Sequence, residues 1–200
     1  MISLEQNSFY IFTFVIVTYD EEINTNRAIV FIYNPCLWAQ YQELIIIGTQ
    51  NGLSSTKVNN TITQDDKGFV WIGTEDGLNR YDGQKFIVYK KRDNDLLSLK
   101  NNIVTSLFFD SQKRLWVGTM IGLQYYDPQL DCFKVGDFGK EVNKLMGDKP
   151  VLWILEDSGH NLWISIESLG VLKYSLLTHH VQLYLSEHNG GILCSSSIRN

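Results

Sequence analysis

The chain has 200 residues, 44% of them apolar and 20% charged, with a formal net charge of −5. This composition supports a packed core and excludes disorder of the whole chain. The acidic balance, with no basic run denser than Lys90-Lys91-Arg92, argues against nucleic acid as a partner.

Residues 1–43 form an N-terminal extension unlike anything that follows. Phe9 to Thr18 is an apolar run of ten, short of the roughly 20 residues a membrane helix needs, and its β-branched and aromatic make-up reads as a strand. A secretory leader starts positive, yet Glu5 is the only charge ahead of the run. A second reading takes Arg27 to Ala39 as leader-like: one Arg, a short apolar stretch and Leu37-x-Ala39, interrupted by Asn34-Pro35. A third makes the extension an extra strand pair packing on the rest, or a poorly ordered segment. Leu44-Ile-Ile-Ile-Gly-Thr49 then opens a region, 44–200, of different character.

Three segments of that region repeat one pattern. They run from Asp65 through Trp71, Gly73, Gly77 and Tyr81; from Asp110 through Trp116, Gly118, Gly122 and Tyr126; and from Asp157 through Trp163, Gly170 and Tyr174. The tryptophans stand 45 and then 47 residues apart. A repeat of this length built of short strands around a fixed aromatic marks a β-propeller blade. The second unit shows the plan: strands over 103–109, 115–119, 123–126 and 132–135, separated by Asp110-Ser-Gln-Lys-Arg114, Gly122 and Asp127-Pro-Gln129. The first repeats it over 58–63, 69–74, 78–81 and 85–89, and the third over 151–155, 162–166, 171–174 and 181–185. The expected fold is all-β, a partial propeller. It has about three four-stranded antiparallel blades (53–90, 99–136 and 149–186) and the start of a further blade over 187–200.

Each tryptophan is expected to bury roughly 150–250 Å² between neighbouring sheets, worth at most about 4–6 kcal/mol. Gly73 and Gly118 remove a side chain where another backbone approaches, a place held by Ser165 in the third unit. Gly77, Gly122 and Gly170 suit hairpin turns with positive φ. Asp65, Asp110 and Asp157 open the first turn, where a carboxylate accepts backbone N–H bonds. The third unit has 11 residues from tryptophan to tyrosine rather than 10, which predicts a longer second hairpin loop. Lys91 to Asn102 reads as a polar crossover between blades.

No catalytic, cofactor or metal site emerges. Cys36, Cys132 and Cys194 are odd in number and far apart, giving neither a disulfide framework nor a zinc pattern. Asp157-Ser158-Gly159-His160 holds triad residue types, but in one turn rather than on separate elements. His179, His180 and His188 lack a carboxylate at ligand spacing. Glu75 and Asp76 are adjacent in a turn. Asp93-Asn94-Asp95 lacks the glycine and distal glutamate of a calcium loop. Tyr81, Tyr89, Tyr125 and Tyr126 are candidates for stacking on sugar rings at a blade rim, against the simpler role of inter-blade packing.

Gly52-Leu-Ser-Ser55, followed by Gly68-Phe-Val-Trp-Ile-Gly-Thr-Glu-Asp-Gly-Leu-Asn-Arg-Tyr-Asp-Gly83, resembles the two-component regulator propeller family, and 115–127 repeats the motif. The resemblance covers about 44 to 200, makes Leu44 to Thr49 an N-terminal closing strand of the ring, and is weaker in the third unit. It implies the periplasmic sensor of a hybrid two-component histidine kinase of Bacteroides-type bacteria, in seven-bladed propellers that commonly take oligosaccharides. Kinase, phosphorelay and DNA-binding parts would belong to a parent protein, so this chain is expected to be no enzyme, and no cofactor is implied. The expected partners are an oligosaccharide through the complete propeller, the rest of the parent sensor, and further copies through open blade faces. The rival readings are a structural or protein-interaction fragment without its own ligand, and a propeller enzyme, which would need charged residues converging on the ring axis.

Overall fold

The computed structural model describes residues 12–20, 25–33, 44–186 and 193–197, with side chains over 47–59 and 61–185. The leader-like Asn34-Pro35, Leu37 and Ala39, together with Cys36 and His188, lie outside the described residues. At the N-terminal end β1 (Phe12–Asp20) and β2 (Thr25–Tyr33) form an antiparallel hairpin, and β2 also pairs with β3 (Leu44–Ile47) in the order β1-β2-β3.

Three meandering antiparallel sheets follow. The first unit is β4 (Val58–Gln64), β5 (Val70–Thr74), β6 (Gly77–Tyr81) and β7 (Phe86–Tyr89). The second is β8 (Val104–Phe109), β9 (Leu115–Thr119), β10 (Gly122–Asp127) and β11 (Cys132–Val135). The third is β12 (Val151–Glu156), β13 (Asn161–Ile166), β14 (Gly170–Ser175) and β15 (Val181–Ser186), to which β16 (Leu193–Ser197) adds a fifth strand. The first four strands of the three units thus correspond one for one.

Local chemistry accounts for the meander. Thr74 pairs with Gly77 and Thr119 with Gly122, leaving two-residue loops, whereas Ile166 pairs with Gly170 across Glu167, Ser168 and Leu169. The extra residue therefore lies in this hairpin, as its spacing predicts. The third loop holds Ser168 at φ 57° and Gly170 at φ 128°, a left-handed combination that costs an ordinary side chain energy and glycine little. Each innermost strand carries an irregularity at the same place: Val58/Thr61, Val104/Ser106 and Val151/Trp153. A bulge bends a strand and raises its twist, so the inner strands curve alike.

The core lies between sheets rather than within any one of them. Trp71, Leu78, Leu99, Val104, Val117 and Phe133 fill the seam between the first and second units. Trp116, Leu123, Phe138, Val142, Val151 and Ile154 fill that between the second and third. Ile47 from β3 packs with Leu53, Val70 and Ile72 on the other side of the first unit.

One element was not anticipated: α1 (Lys140–Met146), in the crossover between the second and third units. Its seven residues hold Val142 and Met146 at one-turn spacing, both buried, and Gly147 follows at φ 48°. Those signals are faint in a helix this short, whose stability comes from packing rather than propensity. The corresponding crossover before the second unit has no helix, and is less polar than its composition suggests: Leu99 is 1% exposed.

Candidate functional site

In each unit one carboxylate ties the first turn to the indole. Asp65, Asp110 and Asp157 each accept a hydrogen bond from the Nε1 of the tryptophan six residues on, at 2.8 Å every time. The other oxygen takes backbone N–H groups: those of Lys67 and Phe69 on Asp65, of Arg114 on Asp110, of Gly159 and Asn161 on Asp157. These donors satisfy the carboxylate oxygens in the turn. The Trp163 indole and the Asn161 N–H together hold the Asp157 carboxyl at about 2, below its ordinary 3.8. Sequence reasoning placed the aspartates in turns but missed the indole bond, which the constant six-residue offset announces.

Adjacent units lock along their inner strands. A Cβ on Gly73 would stand 2.7 Å from Val104 Cγ1, and one on Gly118 2.8 Å from Val151 Cγ1. The following unit's first valine thus fills a notch that only glycine leaves. Beside the notch, Asn59 Nδ2 donates to the Val104 carbonyl at 2.8 Å and Thr105 Oγ1 to the Val151 carbonyl at 2.5 Å. Buried amides fix the approach to the first two inner strands. Asn79 accepts from Ser54 N at 2.9 Å, and Gln124 accepts from Lys100 N at 2.8 Å while donating to the Ser98 carbonyl. A fully buried amide is retained because its partners satisfy it. The third unit has Leu172 in this place, opposite Ile164, and the apolar Met146 buried ahead of its inner strand.

The outer half of the first seam is an aromatic box around a guanidinium. Arg80 stacks over Phe69 and Trp71 at 4.9 and 5.6 Å, and its Nη1 donates to Tyr126 Oη at 2.8 Å. Tyr126 and Tyr89 both donate to Asp131 Oδ1, at 2.6 and 2.7 Å. Burial, then the bond to Asp131, raises the Tyr89 hydroxyl far above its usual range and the Tyr126 hydroxyl in the same direction. For Asp131 burial opposes ionisation, but both phenols and Arg80 outweigh it and its carboxyl is lowered. A groove of about 70 Å³ opens beside Arg80, between Phe69, Asp66, Lys113 and Pro128.

Further along, a side chain in left-handed conformation reaches back across each seam. Lys113 (φ 66°) meets Asp66 at 2.9 Å. His160 (φ 58°) brings Nδ1 to 3.0 Å from Ser111 Oγ and 2.8 Å from Glu156 Oε1. Ser111 itself donates to Glu156 through N and Oγ, at 2.8 and 2.5 Å. Burial disfavours the Glu156 charge, but these bonds and His160 outweigh it, so its carboxyl is lowered. Hydroxyl, imidazole and carboxylate thus meet, yet one ring nitrogen faces both partners. A triad needs separate nitrogens for nucleophile and acid, so this group is a clasp. The triad types read from one turn are not gathered: His160 turns to Glu156 and Ser111, and Ser158 is not in the cluster.

The remaining candidates scatter. Glu75 and Asp76 form separate ion pairs with Lys57 and Lys90. Asp95 pairs with Arg92 and accepts from Leu97 N. His179 Nδ1 lies 2.7 Å from Tyr174 Oη. Among the described residues no three His, Cys, Asp or Glu side chains could share a metal ion. Of the four tyrosines considered for sugar stacking, Tyr81 and Tyr126 are 7% exposed. Tyr81 donates to the Gly83 carbonyl, and Tyr125 lies against Trp116. Their rings face neighbouring side chains because aromatic burial favours the seam over the rim.

Comparison with known proteins agrees with this architecture. Residues 52–76 and 98–120 match the two-component regulator propeller family. Each match begins at the segment held by a buried amide. Histidine kinase P4 of Formosa agariphila is 35% identical over 169 residues, covering 58% of this chain and 12% of the kinase. The extracellular domain of BT3049 of B. thetaiotaomicron, described as a hybrid two-component system, superimposes with a TM-score of 0.60 at 29% identity, over 70% of this chain and 20% of that one. The extracellular domain of BT4673 from the same organism gives 0.56 at 22% identity, over 83% of this chain and 21% of that one, a likeness of fold. The chain thus spans about a fifth or less of the length of these relatives.

Proposed function

We propose that this chain is part of the extracytoplasmic sensor region of a hybrid two-component histidine kinase. In this reading its units are consecutive blades of a larger propeller that takes an oligosaccharide and passes a change of shape to kinase domains elsewhere in the parent protein. The observation that supports the reading most is the likeness of the fold to the extracellular domain of BT3049. The groove beside Arg80 suits binding rather than chemistry: Arg80 is engaged with Tyr126 and Lys113 with Asp66, and the hydroxyl, imidazole and carboxylate that meet across the second seam share a single ring nitrogen. Phosphorelay would lie in domains outside these residues, with the sensor on the periplasmic side of the membrane. Calorimetric titration of the complete sensor region with oligosaccharides from polysaccharide breakdown tests this. Saturable binding of one glycan class is expected. Silence toward all of them, with signalling switched instead by a protein, would sink it.

A second reading rests on the outward face of the third unit, where Trp153 is 71% exposed. It makes the chain an interaction segment with no ligand of its own. Recovery of a partner chain, with no thermal shift from any sugar, favours it.

A further inference from the structure

The forward faces of the first and second units are each covered by the next unit, and among the described residues nothing covers the same face of the third. The residues that make the inner lock on the first two faces can therefore be followed to the third. Asn59 and Thr105 donate to the next unit's valine carbonyl; between the strand irregularity's two ends the third unit has Leu152, 40% exposed and without a donor. Thr61 and Ser106, opposite the notch glycines, are 8% and 4% exposed; the third unit has Trp153 there, 71% exposed and paired with Ser165. Gly73 and Gly118, whose added Cβ would collide with the next valine, are replaced by Ser165, which carries that Cβ.

The outer half of the same face is nevertheless built as in the first unit. Trp163 stacks on Tyr184 at 5.8 Å and 22°, as Trp71 does on Tyr89 at 5.8 Å and 24°. Lys173 Nζ sits 5.0 Å from the Trp163 ring, as Arg80 sits over Trp71. In the first seam that cation meets the next unit's Tyr126 hydroxyl, with Asp131 at 3.8 Å.

We propose that the third forward face is an interaction surface for a further four-stranded blade whose first strand differs from those of the second and third units. The outer half calls for a hydroxyl and a carboxylate to meet Lys173. The inner half inverts the fit: the incoming strand presents a small residue (Gly, Ala or Ser) where Val104 and Val151 stand, and a recess for the Trp153 indole. In the first two seams the following blade supplies the knob and the preceding blade the hole. Here the preceding blade supplies the knob. A buried aromatic seated in a partner's pocket is the kind of contact that dominates an interface. The inference rests on the reading of these units as consecutive propeller blades.

The test extends the full chain at its C-terminus, through a flexible linker, by a copy of its own second unit (residues 98–136), in two forms: with the valine corresponding to Val104 kept, and with it changed to Ala. Seating is read from Trp153 fluorescence, protease resistance of the added unit and the melting temperature. The Ala form is expected to seat on the native face, shifting Trp153 emission to the blue, and to outdo the Val form by on the order of tenfold in the seated-to-open ratio. On a chain carrying W153T and S165G the preference is expected to reverse. Equal or better seating of the Val form on the native face overturns the inference and leaves the propeller reading standing. Failure of both forms on both faces overturns the two together. A saturating dimer of the unextended chain, abolished by W153S, makes the occupant a second copy and also overturns the inference.

Discussion

The first and second inter-blade seams share their inner contact and differ in their outer one. Inside, each sets a valine into a glycine notch beside a side chain donating to that valine's carbonyl. Outside, the first seam uses a guanidinium, two phenols and a carboxylate, whereas the second packs Trp116 on Phe138 at 5.8 Å beneath a short helix. Close to the inner strands these two seams share one close approach, set by valine against glycine. Further out, either a polar network or an apolar plug fills the gap.

The largest expected effect contrasts a covered indole with an open one. Trp116→Ala should cost about 3–5 kcal/mol of stability, and Trp163→Ala only about 1–2 kcal/mol, because among the described residues no sheet covers one side of that ring. Urea denaturation of both variants measures the difference, and equal losses would mean that the third face is covered in solution. Next come the notches. Gly73→Ala and Gly118→Ala should each cost about 1–3 kcal/mol by overpacking, while Ser165→Ala stays within about 0.5 kcal/mol. If both glycine variants melt like the parent, the valine contact does not hold the seams.

The carboxylate locks come third, read against pH. Asp157 has a lowered folded pKa, so its stabilisation is present above the ordinary 3.8 and is lost as pH falls toward about 2. Glu156 is lowered too and adds loss in the same direction. Asp157→Asn should flatten the acid limb of a thermal-melt profile; an unchanged limb would remove the indole lock from the account. The phenols act at the other end. Raised folded values mean that Tyr89 and Tyr126 stabilise the fold below about pH 10, and that this is lost as pH rises. Their phenolate absorbance should appear only with unfolding. Smallest are the clasps: Lys113→Ala should leave the melting temperature nearly unchanged, since its pair with Asp66 is exposed, and His160→Ala, which takes a half-exposed ring from the largely buried Glu156, should cost about 0–1 kcal/mol.

Much of the frame was legible in the chain alone. The indoles at 71, 116 and 163 locate three sheets because each unit reuses one turn and one ring. The hairpin at Gly170 is longer by one residue because the spacing is. The glycine notches could be read as close approaches, but not that a valine from the next unit fills them. The roles of Asn79 and Gln124 were hidden, since a polar letter inside a strand does not say that it is buried or what satisfies it. The tyrosines offered to sugars proved mostly seam residues, because the direction of a side chain depends on which sheet lies opposite.

What the sequence by itself determined was the strand-by-strand plan of three units, since alternation, turn residues and the tryptophan spacing act within some 45 residues of chain. Only the tertiary structure decided which groups meet across the seams: Arg80 with Tyr126, Ser111 with Glu156 and His160, valine with glycine. Those partners lie 31 (Gly73 to Val104) to 49 (Ser111 to His160) residues apart and come together only when one twisted sheet packs on the next, a geometry set by inter-sheet distance rather than by any local pattern.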